Sequence, residues 1–298
     1  MDSLNTPAAM RQKIYVDTGN LLPCAAKKDG SYHPQDEALR GFKWRIGSWK
    51  KNRQDIDSQS GNHTGEKNQS NQDDLMMMEN NNKFEGNDTS NQSILFIRPS
   101  DDETNKSPLL AVDNEKRENS RIMVKLFLYS EDQSAIEDAI DTILDRFNTS
   151  YIDTVILALP SPGKELCPDR IRRTWSQAEQ ALRYRVKDIG MSDLDTDQLI
   201  DLHSFATIKP TSNQVNLEMC CSIPEKMSEF SHERGIKILT HSDPIDFLPI
   251  DQFHELLRDC SINKVERWQR LWVARYTSIH DHKGIVMCKG YVLSAEQK

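Results

Sequence analysis

The 298-residue sequence lacks three features that mark large classes of protein. Its longest apolar runs are far shorter than the ~20 residues that a membrane helix needs, so no membrane span is expected. Its amino terminus has no basic residues followed by an apolar core, so no secretory signal is expected. With 46 acidic and 38 basic side chains and a net charge of -8, it lacks the basic excess typical of general nucleic-acid binding.

Paired cysteines and nucleotide-binding loops are also missing. The six cysteines show no CxxC pair and no regular spacing, which indicates free thiols in a reducing cytoplasm. No Gly-x-x-x-x-Gly-Lys-Ser/Thr loop is present, so no ATP site of that kind is predicted. His280 and His282 flank Asp281, but no third ligand is placed by the sequence. An exposed loop is therefore predicted at these residues, and no metal site.

One stretch contains too few apolar residues to build a core. Residues 52–119 are dominated by Asn, Gln, Ser, Asp, Glu and Lys, and this composition predicts a disordered insertion. It divides the chain into residues 1–51, which hold the first strand and helix, the insertion 52–119, and residues 120–298, which hold the remainder of the domain. Without the insertion about 230 residues remain, close to the roughly 250 of a (β/α)8 barrel.

The rest of the sequence alternates short β-like runs with longer helical patterns, which is typical of a parallel α/β protein. Eight strands are predicted, at Lys13–Asp17, Ser93–Ile97, Ile122–Leu128, Asp153–Ala158, Arg185–Gly190, Asn213–Leu217, Ile236–Thr240 and Gly284–Cys288. Helices are predicted at Glu131–Phe147, Pro168–Tyr184, Asp195–Ala206, Pro224–Arg234, Asp251–Cys260 and Val265–Ile279. A doubly wound sheet and a TIM barrel both fit this alternation, and a count of eight strands favours the barrel.

Five segments together carry a family resemblance. They are Tyr15–Leu22 (YVDTGNLL), Ile189–Asp195 (IGMSDLD), Lys209–Leu217 (KPTSNQVNL), Leu239–Pro244 (LTHSDP) and Lys283–Tyr291 (KGIVMCKGY). With them the chain resembles the regulatory subunits of glutamate–cysteine ligase, which are similar to the aldo-keto reductases. The resemblance implies a (β/α)8 barrel of aldo-keto-reductase type. It also implies a heterodimer with the catalytic subunit of that ligase, in the first step of glutathione synthesis.

The resemblance also shows which reductase groups are missing. Carbonyl reduction in that family uses a tyrosine as proton donor, a lysine and an aspartate that tune it, and a histidine that orients the substrate. Lys125 matches the lysine, but Ala158 occupies the position of the histidine. The tyrosine is expected between the first and third strands, and no tyrosine occurs from His33 to Leu128. We therefore expect a chain without reductase activity.

The cofactor contacts implied by the resemblance are incomplete as well. Ser192 and Gln214 match two residues that hold the nicotinamide carboxamide, but Asp193 replaces the asparagine beside them. His241 replaces the aromatic ring that stacks on nicotinamide, and Lys289 matches the lysine that binds the adenosine phosphate. No Arg-containing helix follows Lys289 to complete this clamp. We expect no resident cofactor, although residual NADPH binding stays open.

The predicted helix Val265–Ile279 places aromatic residues at four-residue spacing, namely Trp268, Trp272 and Tyr276. This pattern fits a helix packed on the barrel wall, and it also fits a docking surface, because Trp, Tyr and Arg are enriched at interface hot spots. The predicted outward-facing contacts to a partner are Arg267, Arg270 and Tyr291. Two alternative functions remain, an NADP-dependent aldo-keto reductase and a nicotinamide-sensing scaffold.

Overall fold

A computed structural model describes residues 11–22, 33–60, 92–99, 117–161, 166–216 and 222–298. Its nine strands form one sheet, and they are β1 (Arg11–Asp17), β2 (Gln92–Ile97), β3 (Ser120–Leu128), β4 (Ile152–Ala158), β5 (Val186–Ser192), β6 (Ser212–Asn216), β7 (Lys237–His241), β8 (Trp268–His280) and β9 (Ile285–Gln297). The α-helices are α1 (Pro34–Ser60), α2 (Gln133–Phe147), α3 (Pro168–Ala181), α4 (Thr196–Phe205), α5 (Glu225–Arg234) and α6 (Ile250–Asp259). None of the helices in these ranges is long and apolar enough to span a bilayer.

Strands β3 to β7 form the parallel half of the sheet, with each strand hydrogen-bonded to the next in chain order. A helix connects each successive pair, and α2 to α4 bury apolar side chains such as Ile140, Trp175 and Leu199 against one face. Pro168 occupies the first turn of α3, and Gly235 ends α5 in the left-handed conformation, as the sequence predicts.

Strands β8 and β9 form an antiparallel hairpin that lies between β1 and β3. The predicted helix at Val265–Ile279 is therefore wrong. Four-residue spacing is also an even number of strand positions, so it places side chains on one face of a strand as well as of a helix. A register shift between Arg270 and Trp272 then separates Trp268 from Trp272, and the two indoles belong to hydrophobic clusters on opposite faces.

The two faces of the sheet are covered by different elements. One hydrophobic cluster joins the sheet to α2 to α5, and the other joins the opposite face to α1, α6 and the segment that follows β7. Ile14, Phe127, Val273 and Leu293 belong to this second cluster. Side chains two positions apart on a strand point to the same face. Lys125 therefore lies on the face of Phe127 in β3, and Arg275 lies on the face of Val273 in the paired strand β8.

The predicted α/β class is confirmed, and each of the eight predicted strands overlaps an observed strand. The ninth strand is β8, which lies where the sequence predicts a helix. Among the described residues, β2 and β7 each pair with a single neighbour, so no ladder of hydrogen bonds joins these two edges. Within the proposed insertion 52–119, α1 continues to Ser60 and β2 spans Gln92–Ile97. Residues 61–91 and 100–116 lie outside the described ranges, and their disorder stays a prediction.

Candidate functional site

A cavity of about 440 Å³ opens at the carboxyl ends of the parallel strands. This is the edge of a parallel α/β sheet at which ligand sites are usually built. Its charged and polar lining comes from the ends of β3, β5, β6 and β7, and includes Lys125, Ser192, Asp193, Asn216, His241 and Asp243. Phe127 and Ala158 add an apolar wall.

Lys125 and Arg275 are paired residues on β3 and β8, so two cations lie side by side on one face of the sheet. The carboxylate of Asp243, which follows β7, lies between them. Lys125 Nζ donates to Asp243 Oδ2 over 2.8 Å, and the Arg275 guanidinium donates to both carboxylate oxygens over 2.5 and 3.0 Å. Asp243 therefore connects the end of β7 to β3 and to the hairpin. We call these three residues the Asp243 cluster.

Burial shapes the protonation of the Asp243 cluster. Burial lowers the pKa of Lys125 to about 8, although the neighbouring Asp243 carboxylate opposes this shift. Burial alone would raise the pKa of Asp243, but the hydrogen bond from His241 and the charges of Arg275 and Lys125 hold it well below the usual range. At neutral pH Lys125 and Asp243 are both charged, and the ammonium group is already bound to a carboxylate.

His241 joins the Asp243 cluster to a second carboxylate. Its Nε2 lies 2.9 Å from Asp193 Oδ1 and 3.2 Å from Ser192 Oγ, and its Nδ1 lies 3.2 Å from Asp243 Oδ2. Burial opposes the charged imidazolium, but the hydrogen bonds to Asp193 and Asp243 raise the pKa of His241 above its ordinary value. The Asp243 backbone N–H also donates to Nδ1 over 3.0 Å, so the imidazole bridges Asp193 and Asp243.

The structure places the three predicted vestigial residues close to one another, but only two of them line the cavity. Lys125 is bound to Asp243, and the Ser192 hydroxyl donates to Asp193 Oδ2 over 2.8 Å. Gln214 lies on β6, where its amide nitrogen is 3.4 Å from the Thr240 carbonyl oxygen. Its side-chain oxygen is buried and makes no hydrogen bond.

The other positions implied by the resemblance have local partners. Asp193 accepts the backbone N–H of Asn216 over 3.1 Å, in addition to its bonds with Ser192 and His241. Lys289 lies on β9, where its ammonium group forms an ion pair with Glu37 of α1. Among the described residues, no tyrosine lines the cavity.

The structure corrects one of the three proposed partner contacts. Tyr291 does not face outward, because its side chain is fully buried against Phe42 and Phe247 and its hydroxyl donates to Glu37 over 2.8 Å. Arg270 is largely enclosed, with its guanidinium bound to Asp246. Arg267 is exposed, in a short 3₁₀ turn before β8, and it stays a candidate contact.

The cysteines that the structure describes are unpaired. Cys260 and Cys288 are buried, and burial raises the pKa of each thiol to about 12, so neither is a reactive thiolate at neutral pH. Cys167 is exposed, and the other three cysteines lie outside the described residues. Within the described part of the chain no group of three His, Cys, Asp or Glu side chains could hold a metal ion. His280 ends β8, and His282 lies in the hairpin turn, with Nε2 3.1 Å from the Asn119 side-chain oxygen.

Sequence reasoning missed Asp243 and Arg275, which organise the site. Asp243 stands two residues after a strand and directly before Pro244, a position at which a side chain commonly faces the mouth of a parallel sheet. The sequence therefore held a signal that Asp243 belongs to the site. Arg275 could not be found, because its segment was assigned to a helix.

With this geometry in view, the chain can be compared with known proteins. The sequence model of the aldo/keto reductase family matches residues 103–245, which include β3 to β7 and, of the Asp243 cluster, Lys125 and Asp243. The glutamate–cysteine ligase regulatory subunit of Rattus norvegicus is 35% identical over 193 residues, covering 63% of this chain and 70% of the relative. The Homo sapiens regulatory subunit is 34% identical over the same length, with the same coverage. The chain belongs to the family of glutamate–cysteine ligase regulatory subunits.

A solved structure of an aldose reductase from Giardia lamblia is also similar to part of the chain. The two are 20% identical, with a TM-score of 0.36, over 45% of this chain and 50% of the reductase.

Proposed function

We propose that this chain binds the catalytic subunit of glutamate–cysteine ligase as a heterodimer and regulates it, without reductase chemistry of its own. Two kinds of observation support this. The named relatives are regulatory subunits that are about a third identical to this chain over 193 aligned residues. The cavity that would perform carbonyl reduction in an aldo-keto reductase is organised around internal ion pairs.

The lining of the cavity around Lys125 is the observation that carries the proposal. A lysine that tunes a proton donor must lie beside the hydroxyl group of that donor. Among the described residues no tyrosine lines the cavity, in which Lys125 Nζ donates to the buried Asp243 carboxylate over 2.8 Å. The histidine position holds Ala158, whose methyl group cannot orient a carbonyl substrate. In this chain the lysine thus joins β3 to the end of β7, which is a structural role.

A nicotinamide cofactor does not fit the residues of this site. The carboxamide of nicotinamide needs both a donor and an acceptor, and Asp193, at neutral pH, can only accept. Its carboxylate is already occupied by Ser192, His241 and the Asn216 backbone. The lysine that would bind the adenosine phosphate, Lys289, is paired with Glu37. We derive no reaction step through the cofactor.

A non-catalytic subunit can change its enzyme only through differential binding. It must bind the productive conformation of the catalytic subunit more tightly than the unproductive conformation, and the same coupling makes substrate tighten the heterodimer. A rigid domain suits this role, because little conformational entropy is lost on docking. The Asp243 cluster supplies such rigidity at the carboxyl ends of β3, β7 and β8.

The proposal is tested by titrating the purified chain into the catalytic subunit from the same organism. Sedimentation should show a one-to-one complex, and the rate of ATP-dependent joining of glutamate and cysteine should change with the same midpoint. A second readout is the affinity of the complex with and without glutamate, which must differ if the ligase activity is coupled to binding. Absence of a complex at micromolar concentrations of both chains would refute the proposal.

We place the complex in the cytoplasm. The unpaired cysteines Cys167, Cys260 and Cys288 fit a reducing compartment. Fractionation of cells that express the tagged chain, with detection in the soluble fraction beside the catalytic subunit, is the corresponding test.

A further inference from the structure

The two ends of strands β3 to β7 differ in charge. The segments that lead into these parallel strands meet at one end, and the turn of the β8–β9 hairpin joins them there, because Ser120 in β3 pairs with His280 in β8. The segments that follow the strands meet at the other end, where the Asp243 cluster lies. We call the first end the amino-end surface, and it comprises residues 117–121, 148–153, 182–188, 206–211, 235–237 and 281–284.

The amino-end surface is basic in a chain that is acidic overall. It contains eight Arg or Lys residues and four Asp or Glu residues, whereas the whole chain contains 38 and 46. The described residues that directly follow β3 to β7 contain six acidic residues and no Lys or Arg. They are residues 129–132, 159–161, 166–167, 193–195, 222–224 and 242–249. The domain therefore has a positive end and a negative end along the direction of the strands.

The acidic groups at the negative end are largely bound by cations of the chain itself. Asp243 is held by the two cations of the Asp243 cluster, Asp246 is paired with Arg270, and Glu131 is paired with Arg173. The negative end therefore offers little free charge to the amino-end surface of a second copy. The acidic complement of the amino-end surface is expected on a different molecule.

Several cations of the amino-end surface, by contrast, have no acidic partner. Arg183, Lys237 and Lys283 are exposed, and none of the three forms an ion pair with another described residue. Lys187 is paired with Asp153, but this carboxylate also binds a second, buried cation, so one positive charge is in excess. These groups leave a positive potential that an acidic surface would neutralise.

The amino-end surface also displays an aromatic side chain in a strained turn. Tyr184 is 86% exposed and has a φ of 64°, in the left-handed region that residues other than glycine rarely adopt. The turn joins α3 to β5, and the carbonyl of Leu182 accepts the backbone N–H groups of Arg185 and Val186 within it. The Arg183 guanidinium lies 4.9 Å from the centre of the Tyr184 ring. The turn thus holds a tyrosine ring in solvent, beside an arginine that has no acidic partner.

We propose that the amino-end surface docks an acidic patch of the catalytic subunit, with Tyr184 as the aromatic anchor. This inference rests on the proposed function and names the surface that performs it. Tyr and Arg are enriched among the residues that dominate binding energy, and complementary charge gives specificity and rapid association. A nucleic acid fits less well, because the chain carries a net charge of -8 that repels a polyanion outside this one surface. Arg267 precedes β8, at the opposite end of the hairpin, so its charge reversal tests a separate contact.

The test measures the affinity of the full chain for the catalytic subunit by isothermal titration calorimetry. The main variant combines Arg183→Glu, Lys237→Glu and Lys283→Glu. At about 50 mM NaCl it should bind at least about tenfold more weakly than the parent, and the difference should shrink at about 300 mM because salt screens exposed charges.

A matched variant controls for the change in net charge. It reverses three exposed cations outside the amino-end surface, in Lys51→Glu, Lys226→Glu and Arg258→Glu. Its affinity should stay within about threefold of the parent, because the altered charges lie away from the interface. Both triple variants are first shown to melt like the parent.

A separate pair of variants tests the anchor. Tyr184→Asn should weaken binding about tenfold with an unchanged unfolding curve, because asparagine tolerates the left-handed turn but removes the ring. Tyr184→Phe keeps the ring and should retain the parental affinity within about threefold.

The outcomes distinguish this inference from the proposed function. A parent chain that forms no complex with the catalytic subunit refutes both. Parental affinity in either the main triple variant or Tyr184→Asn refutes this inference alone, because the complex then forms through another surface. The inference is also wrong if the main triple variant abolishes self-association of the parent, or its binding to a short DNA duplex, and leaves the complex intact. A second copy or a nucleic acid would then be the occupant.

Discussion

The parallel half of the sheet and the β8–β9 hairpin bury their side chains in different ways. Strands β3 to β7 are separated by helices, and their central residues form near-continuous apolar runs such as Val155–Leu157. The hairpin reaches comparable burial with two antiparallel strands of 13 residues that include Arg275, Ser278 and Ser294. Both regions hold polar groups in the interior, among them Lys125 and Asn213 in the parallel strands and Ser278 and Ser294 in the hairpin, and Arg275 of the hairpin completes the site.

The difference shows how this fold departs from a simple α/β repeat. The aldo/keto reductase family match ends at residue 245, so it covers β3 to β7 and stops before the hairpin. Asp243 lies at the end of the matched region and bonds to Arg275 outside it. The Asp243 cluster therefore lies where the two regions meet, and variants at that point separate their contributions.

The largest effect is expected for Asp243→Asn. The change leaves Lys125 and Arg275 as adjacent buried cations without a carboxylate, and we expect the free energy of unfolding to fall by about 3–5 kcal/mol. Urea denaturation measures this, with the exposed Asp251→Asn as a control that should change by less than about 0.5 kcal/mol. Adding Lys125→Met to Asp243→Asn should recover part of the loss. A loss below about 1 kcal/mol would show that Asp243 does not join the two regions.

The next largest effect compares one glycine from each region. An added Cβ at Gly290 in β9 would collide with the Gly19 backbone oxygen and the Tyr276 ring, so Gly290→Ala should cost about 3 kcal/mol. At Gly190 in β5 the Cβ would lie 2.7 Å from the Ser212 backbone oxygen and would also meet the Ser212 hydroxyl, which can rotate. Gly190→Ala should therefore cost somewhat less, about 2 kcal/mol.

Gly47 in α1 is the control for these two substitutions, because no atom lies within 4 Å of its added Cβ. Gly47→Ala should raise the free energy of unfolding by about 0.5 kcal/mol, through better helix propensity. Thermal unfolding of the three variants gives the order directly. Equal stability of Gly290→Ala and the parent would contradict the close packing of the hairpin on Gly19, in the turn that follows β1.

Two arginines near the base of the hairpin should behave differently. Arg270→Glu places a carboxylate against Asp246 and removes the bond to the Leu248 carbonyl, so it should cost about 2 kcal/mol. Arg267→Glu changes an exposed side chain and should alter stability by less than about 0.5 kcal/mol. Under the docking hypothesis, Arg267→Glu weakens binding to the catalytic subunit while its unfolding curve matches the parent. Parental affinity of that variant would remove Arg267 from the interface.

The smallest effect concerns pH and the His241 bridge. The pKa of His241 is raised in the folded chain by Asp193 and Asp243, against the effect of burial. A raised folded pKa adds stability that is complete below the ordinary histidine pKa of about 6.5 and disappears as pH rises through the folded value. His241→Gln should therefore lose more stability at pH 5.5 than at pH 8.5, measured by urea denaturation at both pH values. An equal loss at the two values would show that folding does not raise the pKa of His241.

The predictability of this fold from its sequence follows the same division between the two regions. Apolar runs and helix ends at Pro168 and Gly235 are local signals, so β3 to β7 and their helices could be predicted. The first strand of the hairpin, β8, is mispredicted because Trp268, Trp272 and Tyr276 fit a helical stripe, whereas the predicted strand Gly284–Cys288 overlaps the second. The sequence nevertheless holds two strand signals. Val273–Ile279 is rich in β-branched and aromatic residues, and a glycine, Gly284, occupies the turn, where the structure has it in the left-handed conformation.

The candidate site was predictable only in part, for a related reason. Ala158 and the missing tyrosine can be found by position along the chain, so the loss of reductase groups needs no structure. The new partner of Lys125 cannot be found in this way, because Asp243 is 118 positions away and Arg275 lies in the misassigned segment. Ion pairs between distant strands depend on register, which single-sequence patterns do not specify.

The most direct test of the account is NADPH-dependent carbonyl reduction by the purified chain. The assay compares the parent with Lys125→Met across several aldehydes, and the same preparations are checked for effect on the catalytic subunit. We predict that both proteins consume NADPH no faster than a protein-free control, because among the described residues no tyrosine lines the cavity and Ala158 occupies the position of the histidine. Reduction by the parent that is lost in Lys125→Met would contradict the account and identify a working reductase.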